Sequence, residues 1–183
     1  MNTKLNIIRH DDFDWRLPAK SYIDIHEEFI RAGLTETAVI QFTQDGRLSY
    51  YDPELIKYIN ESPNWDIAPH GWAHDNYAEM TVDAIVRDMG AAMFLCNRLF
   101  NKIPTKWYPP WNKWSGTMET AAGILGLTVD SESYDIAKFI RNVESNTYDG
   151  HSLYFHGWNG GEMMMFPKMI ELAKTVWHEP PVI

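Results

Sequence analysis

Short β-prone runs alternate with longer segments of helical period from end to end of the 183 residues, and this alternation restricts the possible folds more than any other feature of the chain. Strands are expected near 4–9, 37–42, 65–69, 105–109, 126–130 and 151–156, and helices near 19–32, 53–60, 80–101, 114–125, 135–142 and 165–177. Strand followed by helix, repeated, argues for parallel strands joined by helical crossovers, an α/β architecture rather than a sandwich. The best-marked helix opens at Thr81, with Val82, Ile85, Val86, Met89, Met93, Leu99 and Phe100 near one stripe. No internal repeat, low-complexity tract or Pro/Gly/Ser-rich linker divides the sequence. Residues 1–183 are therefore expected to form one domain with a sizeable core.

A formal net charge of −9 argues against an electrostatic grip on nucleic acid or anionic lipid, so neither is expected as a partner. The single cysteine, Cys96, lies in an apolar stretch and excludes an internal disulfide. Polar Asn2, Thr3, Lys4 and Asn6 stand where a signal sequence needs apolar residues, and no run approaches the length of a spanning helix. A protein that is cytoplasmic or otherwise soluble is the expectation. Aromatic residues make up 14% of the chain; most must fill the core, but exposed ones could stack on a sugar ring.

Two short segments carry the chemistry. Arg9-His10-Asp11-Asp12-Phe13-Asp14 follows the first predicted strand, and His70-Gly71-Trp72-Ala73-His74 follows the third. A catalytic zinc-type ion takes three imidazole or carboxylate ligands and keeps a position for water, and Asp12, His70 and His74 would supply those three. In an extended segment Asp11 points away from its neighbour, which would keep it off the metal and free to accept a proton from water. Four-residue spacing puts both histidines on one side of a helical turn, within reach of one ion. The competing reading makes Asp11, Asp12 or Asp14 simple caps for the helix that starts near Pro18. The placement of both segments just past strand ends, where α/β sites gather, favours the metal.

The order of these motifs, with Trp107-Tyr108-Pro109-Pro110-Trp111-Asn112 after the fourth strand and Leu153-Tyr154-Phe155-His156 late in the chain, resembles the polysaccharide deacetylase family of metal-dependent carbohydrate esterases. The resemblance runs from Asp11 to His156. It implies a distorted (β/α) barrel with fewer than eight regular units, one divalent ion, most simply zinc, and hydrolysis of an N-acetyl or O-acetyl group on a carbohydrate, with a small molecule or oligosaccharide as substrate. It also implies that Asp11 is the base, that Asp12, His70 and His74 hold the metal, and that His156 is the acid that protonates the leaving amine. Tyr108, Pro110 and Trp111 would form a wall of the substrate groove, with Trp158 near its mouth. An aspartate usually orients the acid; Asp130 is the counterpart here, with Glu132 and Asp135 as competitors.

Two departures mark a divergent member. Tyr108 stands where the family has the arginine that orients its base, and Asn112 where it has glycine. Phe13-Asp14 replaces the glycine that commonly follows the acidic pair, and the bulk of Phe13 is expected to reshape the pocket floor. Such a branch could instead hydrolyse another non-peptide carbon–nitrogen bond, or hold the metal and bind carbohydrate without turnover. Of the remaining residues, His10 is expected behind the site or in the core, His26, His151 and His178 at the surface or on helices, and Gly157, Gly160 and Gly161 in turns.

Overall fold

Strand β1 (Ile8–Phe13) runs straight through the acidic pair, and all six of its residues are buried. In the computed structural model, which describes residues 5–14, 16–44, 47–48, 52–62 and 64–178, β1 is paired on both sides. It lies parallel to β2 (Glu36–Gln41) on one edge and to β9 (Ser152–Phe155) on the other. Strand β5 (Trp65–Gly71) pairs with β2, and β8 (Ser133–Asp135) with β9, giving a five-stranded parallel sheet in the order β5-β2-β1-β9-β8. A second parallel pair, β6 (Lys106–Trp107) and β7 (Thr128–Val129), joins the β5 edge through the Tyr108 N–H donating to the Pro69 carbonyl at 3.3 Å. A small antiparallel hairpin, β3 (Thr43–Gln44) and β4 (Arg47–Leu48), follows β2. The result is a distorted, open barrel of seven parallel strands; among the described residues no ladder joins β7 to β8.

Among the described residues, six α-helices cover the outside: α1 (Ala19–Ala32), α2 (Pro53–Glu61), α3 (Val82–Phe100), α4 (Gly116–Leu125), α5 (Ile136–Glu144) and α6 (Gly160–Val176). Asp52 caps α2, with Pro53 at the first helical position, where its missing N–H costs nothing. Of the stripe expected on α3, Ile85, Met89 and Phe100 are buried, together with Ala92 and Cys96. Leu5, Ile8, Phe29, Phe139, Leu153 and Met169 join α1, α5 and α6 to the sheet. Phe13, Ile40, Leu55, Trp65, Ala92 and Phe100 do the same for α1, α2 and α3. Val39, Ala68 and Tyr108 form a smaller cluster. No helix among the described residues is long and apolar enough to cross a membrane.

Two element boundaries need correction. The first strand was placed at 4–9 but lies at 8–13, because its charged residues are paired inside the fold; Leu5 instead bridges Trp177 at the end of α6. The last helix starts at Gly160 rather than 165, so Gly160 and Gly161 are its first turn. His26, expected at the surface or on a helix, is a fully buried residue of helix α1. Asp11, Asp12 and Asp14 do not cap α1, which begins at Pro18 with no side-chain cap.

Candidate metal centre and substrate pocket

Strands β1, β5 and β9 point the same way, and residues at or just past their C-terminal ends converge on one pocket. The decisive local feature is a bulge in β1: its register against β2 shifts between His10 and Phe13, and Asp12 adopts φ 54°. Simple alternation would turn Asp11 and Asp12 to opposite faces, as expected from the sequence. The bulge overrides it and both carboxylates line the same cavity, of about 540 Å³, with His70, His74, Trp111 and His156. Asp12 tolerates this backbone because short polar side chains are the least penalised there after glycine. Phe13 takes no part in the pocket floor: it is fully buried and packs on Tyr22, with ring centroids 4.0 Å apart.

Asp12 Oδ1 lies 3.3 Å from Nε2 of His70 and 3.3 Å from Nε2 of His74. His70 donates its Nδ1–H to the Tyr108 carbonyl at 2.6 Å, which leaves the Nε2 lone pair facing Asp12. His74 is not on a helical turn with His70. It lies in the bend after β5, where the Tyr77 hydroxyl accepts the Trp72 N–H at 2.8 Å. Gly71 is obligatory in that bend, since a Cβ there would come within 2.5 Å of the Tyr77 ring.

The fit to a cation rests on Asp12 Oδ1, which is buried and has no hydrogen-bond partner. An ionised oxygen left unsatisfied against imidazole nitrogens costs more than a neutral orphan, and a cation removes the penalty. Burial alone would raise the Asp12 carboxyl, but His70, Arg16 and His74 hold it far below the usual carboxylate range. Burial pushes His74 down, so its ring favours the neutral, ligating form. One ligand atom from each of Asp12, His70 and His74 lies within 4.8 Å of the others, a group able to hold a metal ion.

Asp11 is held by a residue that sequence reasoning passed over. Arg9, fully buried and two positions earlier on the same strand, donates Nε to Asp11 Oδ1 at 3.0 Å and Nη2 to Oδ2. This is a fork-on-carboxylate contact that fixes orientation as well as charge. Arg9 Nη2 also donates to Asn112 Oδ1 at 3.0 Å, and its guanidinium lies over the Tyr108 ring, 4.5 Å from the centroid. The orienting role left open by Tyr108 thus belongs to β1, and Tyr108 supplies the plane on which the arginine rests. Asn112 stands in for glycine because its φ is 52°, a conformation asparagine tolerates. Tyr108 and Pro110 are buried and do not line the cavity, whereas Trp111 (56% exposed) and Trp158 (41% exposed) do.

His156 also has a different partner from the one expected. Its Nδ1 lies 3.0 Å from Oε1 of Glu162, and its backbone N–H donates to Oε2 at 2.6 Å. Burial would lower this imidazole, but Glu162, with Asp11 and Asp12 nearby, raises it above the ordinary histidine value. Asp130 instead lines a separate cavity with Trp114, Val129, Ser131 and Glu132. The signal for Glu162 was present as Asn159-Gly-Gly-Glu162: Asn159 caps α6, accepting from the N–H groups of Gly161 and Glu162, and its Nδ2 donates to Glu162 at 3.0 Å. A second unforeseen residue is Arg16, whose Nη2 lies 2.6 Å from Asp14 and 3.2 Å from Asp12 Oδ2.

Comparison with known proteins agrees with this geometry. No curated protein matches the sequence. Among solved structures, a family 4 carbohydrate esterase from Streptomyces lividans, in complex with acetate, is similar with a TM-score of 0.75 at 15% identity, covering 98% of this chain and 93% of that one. The peptidoglycan deacetylase PdaC from Bacillus subtilis gives 0.73 at 13%, covering 97% and 87%. BA3943, a CE4 family pseudoenzyme from Bacillus anthracis, gives 0.77 at 13%, covering 97% and 63%. At such identities the likeness speaks to the fold. The family model described as polysaccharide deacetylase matches residues 27–129, more than half of the sequence. The chain belongs to the polysaccharide deacetylase family.

Proposed function

We propose that residues 1–183 act as one catalytic domain, a metal-dependent deacetylase that hydrolyses an N-acetyl or O-acetyl group on a small carbohydrate or oligosaccharide. The observation that carries this reading is the partnerless buried Asp12 Oδ1 between two imidazoles, with an arginine-clamped carboxylate beside it and a histidine opposite. Asp12, His70 and His74 would hold the ion, and a mixed nitrogen and oxygen donor set favours zinc. When bound, such an ion supplies a polarised acyl carbonyl and a water of lowered pKa. Asp11, kept in place by Arg9, accepts the proton of the attacking water. His156, held by Glu162, gives a proton to the departing amine. Trp111 and Trp158 flank the cavity and offer their faces to a sugar ring.

Two other readings share these ligands: hydrolysis of a different non-peptide carbon–nitrogen bond, and metal retention with carbohydrate binding but no turnover. The second drew its motive from the missing arginine, and Arg9 weakens that motive. Acetate release from N-acetylated chito-oligosaccharides and acetylated sugars, measured alongside metal content, decides between them. The deacetylase reading expects turnover by the wild type and a loss of at least about 100-fold in Asp11→Asn with metal retained. Bound metal with no acetate from any substrate overturns it, and turnover confined to other acyl or ring amides supports the first alternative.

A further inference from the structure

A second polar cluster lies behind the pocket, on the helix-facing side of the sheet, and takes no part in the chemistry above. Glu36, at the start of β2, is fully buried between two imidazoles: its Oε1 lies 2.7 Å from Nδ1 of His10, and its Oε2 lies 2.8 Å from Nδ1 of His26. His26 is itself immobilised, stacked on Trp65 with centroids 4.0 Å apart and planes 8° from parallel. His10 stacks on Phe155 of β9 at 4.5 Å. The other ring nitrogen of His10, Nε2, accepts the backbone N–H of Gly157 at 3.1 Å. That contact fixes the tautomer, because an Nε2 that accepts carries no hydrogen, so Nδ1 is the donor toward Glu36.

The ends of this chain of contacts are what give it meaning. His10 directly precedes Asp11, the proposed base, and Gly157 directly follows His156, the proposed acid. With both carboxylate oxygens of Glu36 engaged, the His10 ring has one orientation, and through it the turn after β9 is tied to β1. The fit is close: a Cβ on Gly157 would come within 2.5 Å of His10 Nε2 and 3.0 Å of Ile25. Covering so much buried polarity with apolar residues would be no worse for stability, so a device that spans the two reacting groups suggests another use for it.

We infer that His10, held by Glu36, is a positioning residue that sets the place of His156 relative to Asp11 by anchoring the Gly157 amide. Its catalytic consequence rests on the deacetylase reading; the anchoring itself does not. Near-attack geometry is sensitive to displacements of about 1 Å, which can cost about 100-fold in rate.

Nuclear magnetic resonance on the ¹⁵N-labelled chain, with no substrate present, tests the anchor. An unprotonated His10 Nε2 with a through-hydrogen-bond coupling to the Gly157 amide is expected; a protonated Nε2 or no coupling overturns the inference. In His10→Phe the ring and amide signals of His156 should shift, and in His10→Gln, whose Oε1 can accept from Gly157, they should return toward the wild type. His156 signals unmoved in a folded His10→Phe also overturn it. In acetate-release kinetics, His10→Phe should lose about 100-fold in kcat with KM within about threefold and metal content unchanged, and His10→Gln should recover most of the loss. A wild-type kcat in the phenylalanine variant is a refutation. Should that variant not fold, Gly157→Ala, which pushes the amide off His10, is expected to show the same split. Should the wild type release no acetate at all, the deacetylase reading falls while the resonance measurements still decide the anchor.

Discussion

Arg9 is where the chemistry of one side chain decides most. It is wholly buried, and its charge is matched by Asp11 and shared with Asn112. Removing one partner of such a pair leaves an uncompensated buried charge, so Arg9→Gln should cost about 3–5 kcal/mol of stability by calorimetry. In the protein that still folds, kcat for acetate release should fall about 100-fold with metal content unchanged, because the base loses its orientation and not its neighbour. Arg9→Lys should recover little, since an ammonium cannot reproduce the two-pronged contact. Asp11, Asp12, His70, His74 and His156 were legible in the sequence because each lies in a short local pattern next to a strand end. Arg9 and Glu162 were not, for different reasons. An arginine within a β-prone run reads as a solvent-facing residue, and only the closed interior of the barrel reveals that it has no solvent to face. The glutamate belongs to a cap that goes unseen when the helix is started too late.

Helix α6 shows how an element can serve a site through its N-terminus alone, where Asn159 and Glu162 line the cavity. Its N-terminus combines an Asn159 cap, two glycines and Glu162, and the same glutamate that faces His156 is tied to the cap. Asn159→Ala should therefore do two things at once. Loss of the cap costs about 1 kcal/mol of global stability, read from denaturant unfolding. The freed Glu162 also loosens His156, so kcat should drop while Asn159→Asp, which still caps, keeps most of the stability. This helix starts at Gly160, five residues before the expected 165, and Pro167 sits inside it. By contrast α1 was read at 19–32 and is found at Ala19–Ala32, since its apolar stripe and Gly33 C-cap are local signals. Strand β8 escaped notice: among the described residues its three positions pair with β9 alone, a pairing between distant segments that no periodicity reports.

Across the whole molecule, the buried Glu36 cluster sets the response to acid. Burial opposes ionisation, but His10 and His26 overcome it and hold the Glu36 carboxyl below its ordinary value of 4.5. The unfolded chain therefore takes up this proton first. The stabilisation is present above about pH 4.5 and is lost as pH falls through the lower folded value. Unfolding free energy measured against pH should decline below that point, and Glu36→Gln should be less stable at neutral pH with a shallower acid decline. Metal is expected to act globally as well. Zinc at 100 times its dissociation constant should add about 2.7 kcal/mol to stability, a gain that a chelator reverses and Asp12→Asn abolishes, as seen by calorimetry. The bulge that presents Asp12 carries one more implication. A left-handed backbone at position 12 admits glycine, asparagine or histidine but resists β-branched or bulky replacements. Evolution or design seeking a different ion in this barrel has the wider choice of side chains at positions 70 and 74, because the shape of the chain beneath the carboxylate admits few replacements at position 12.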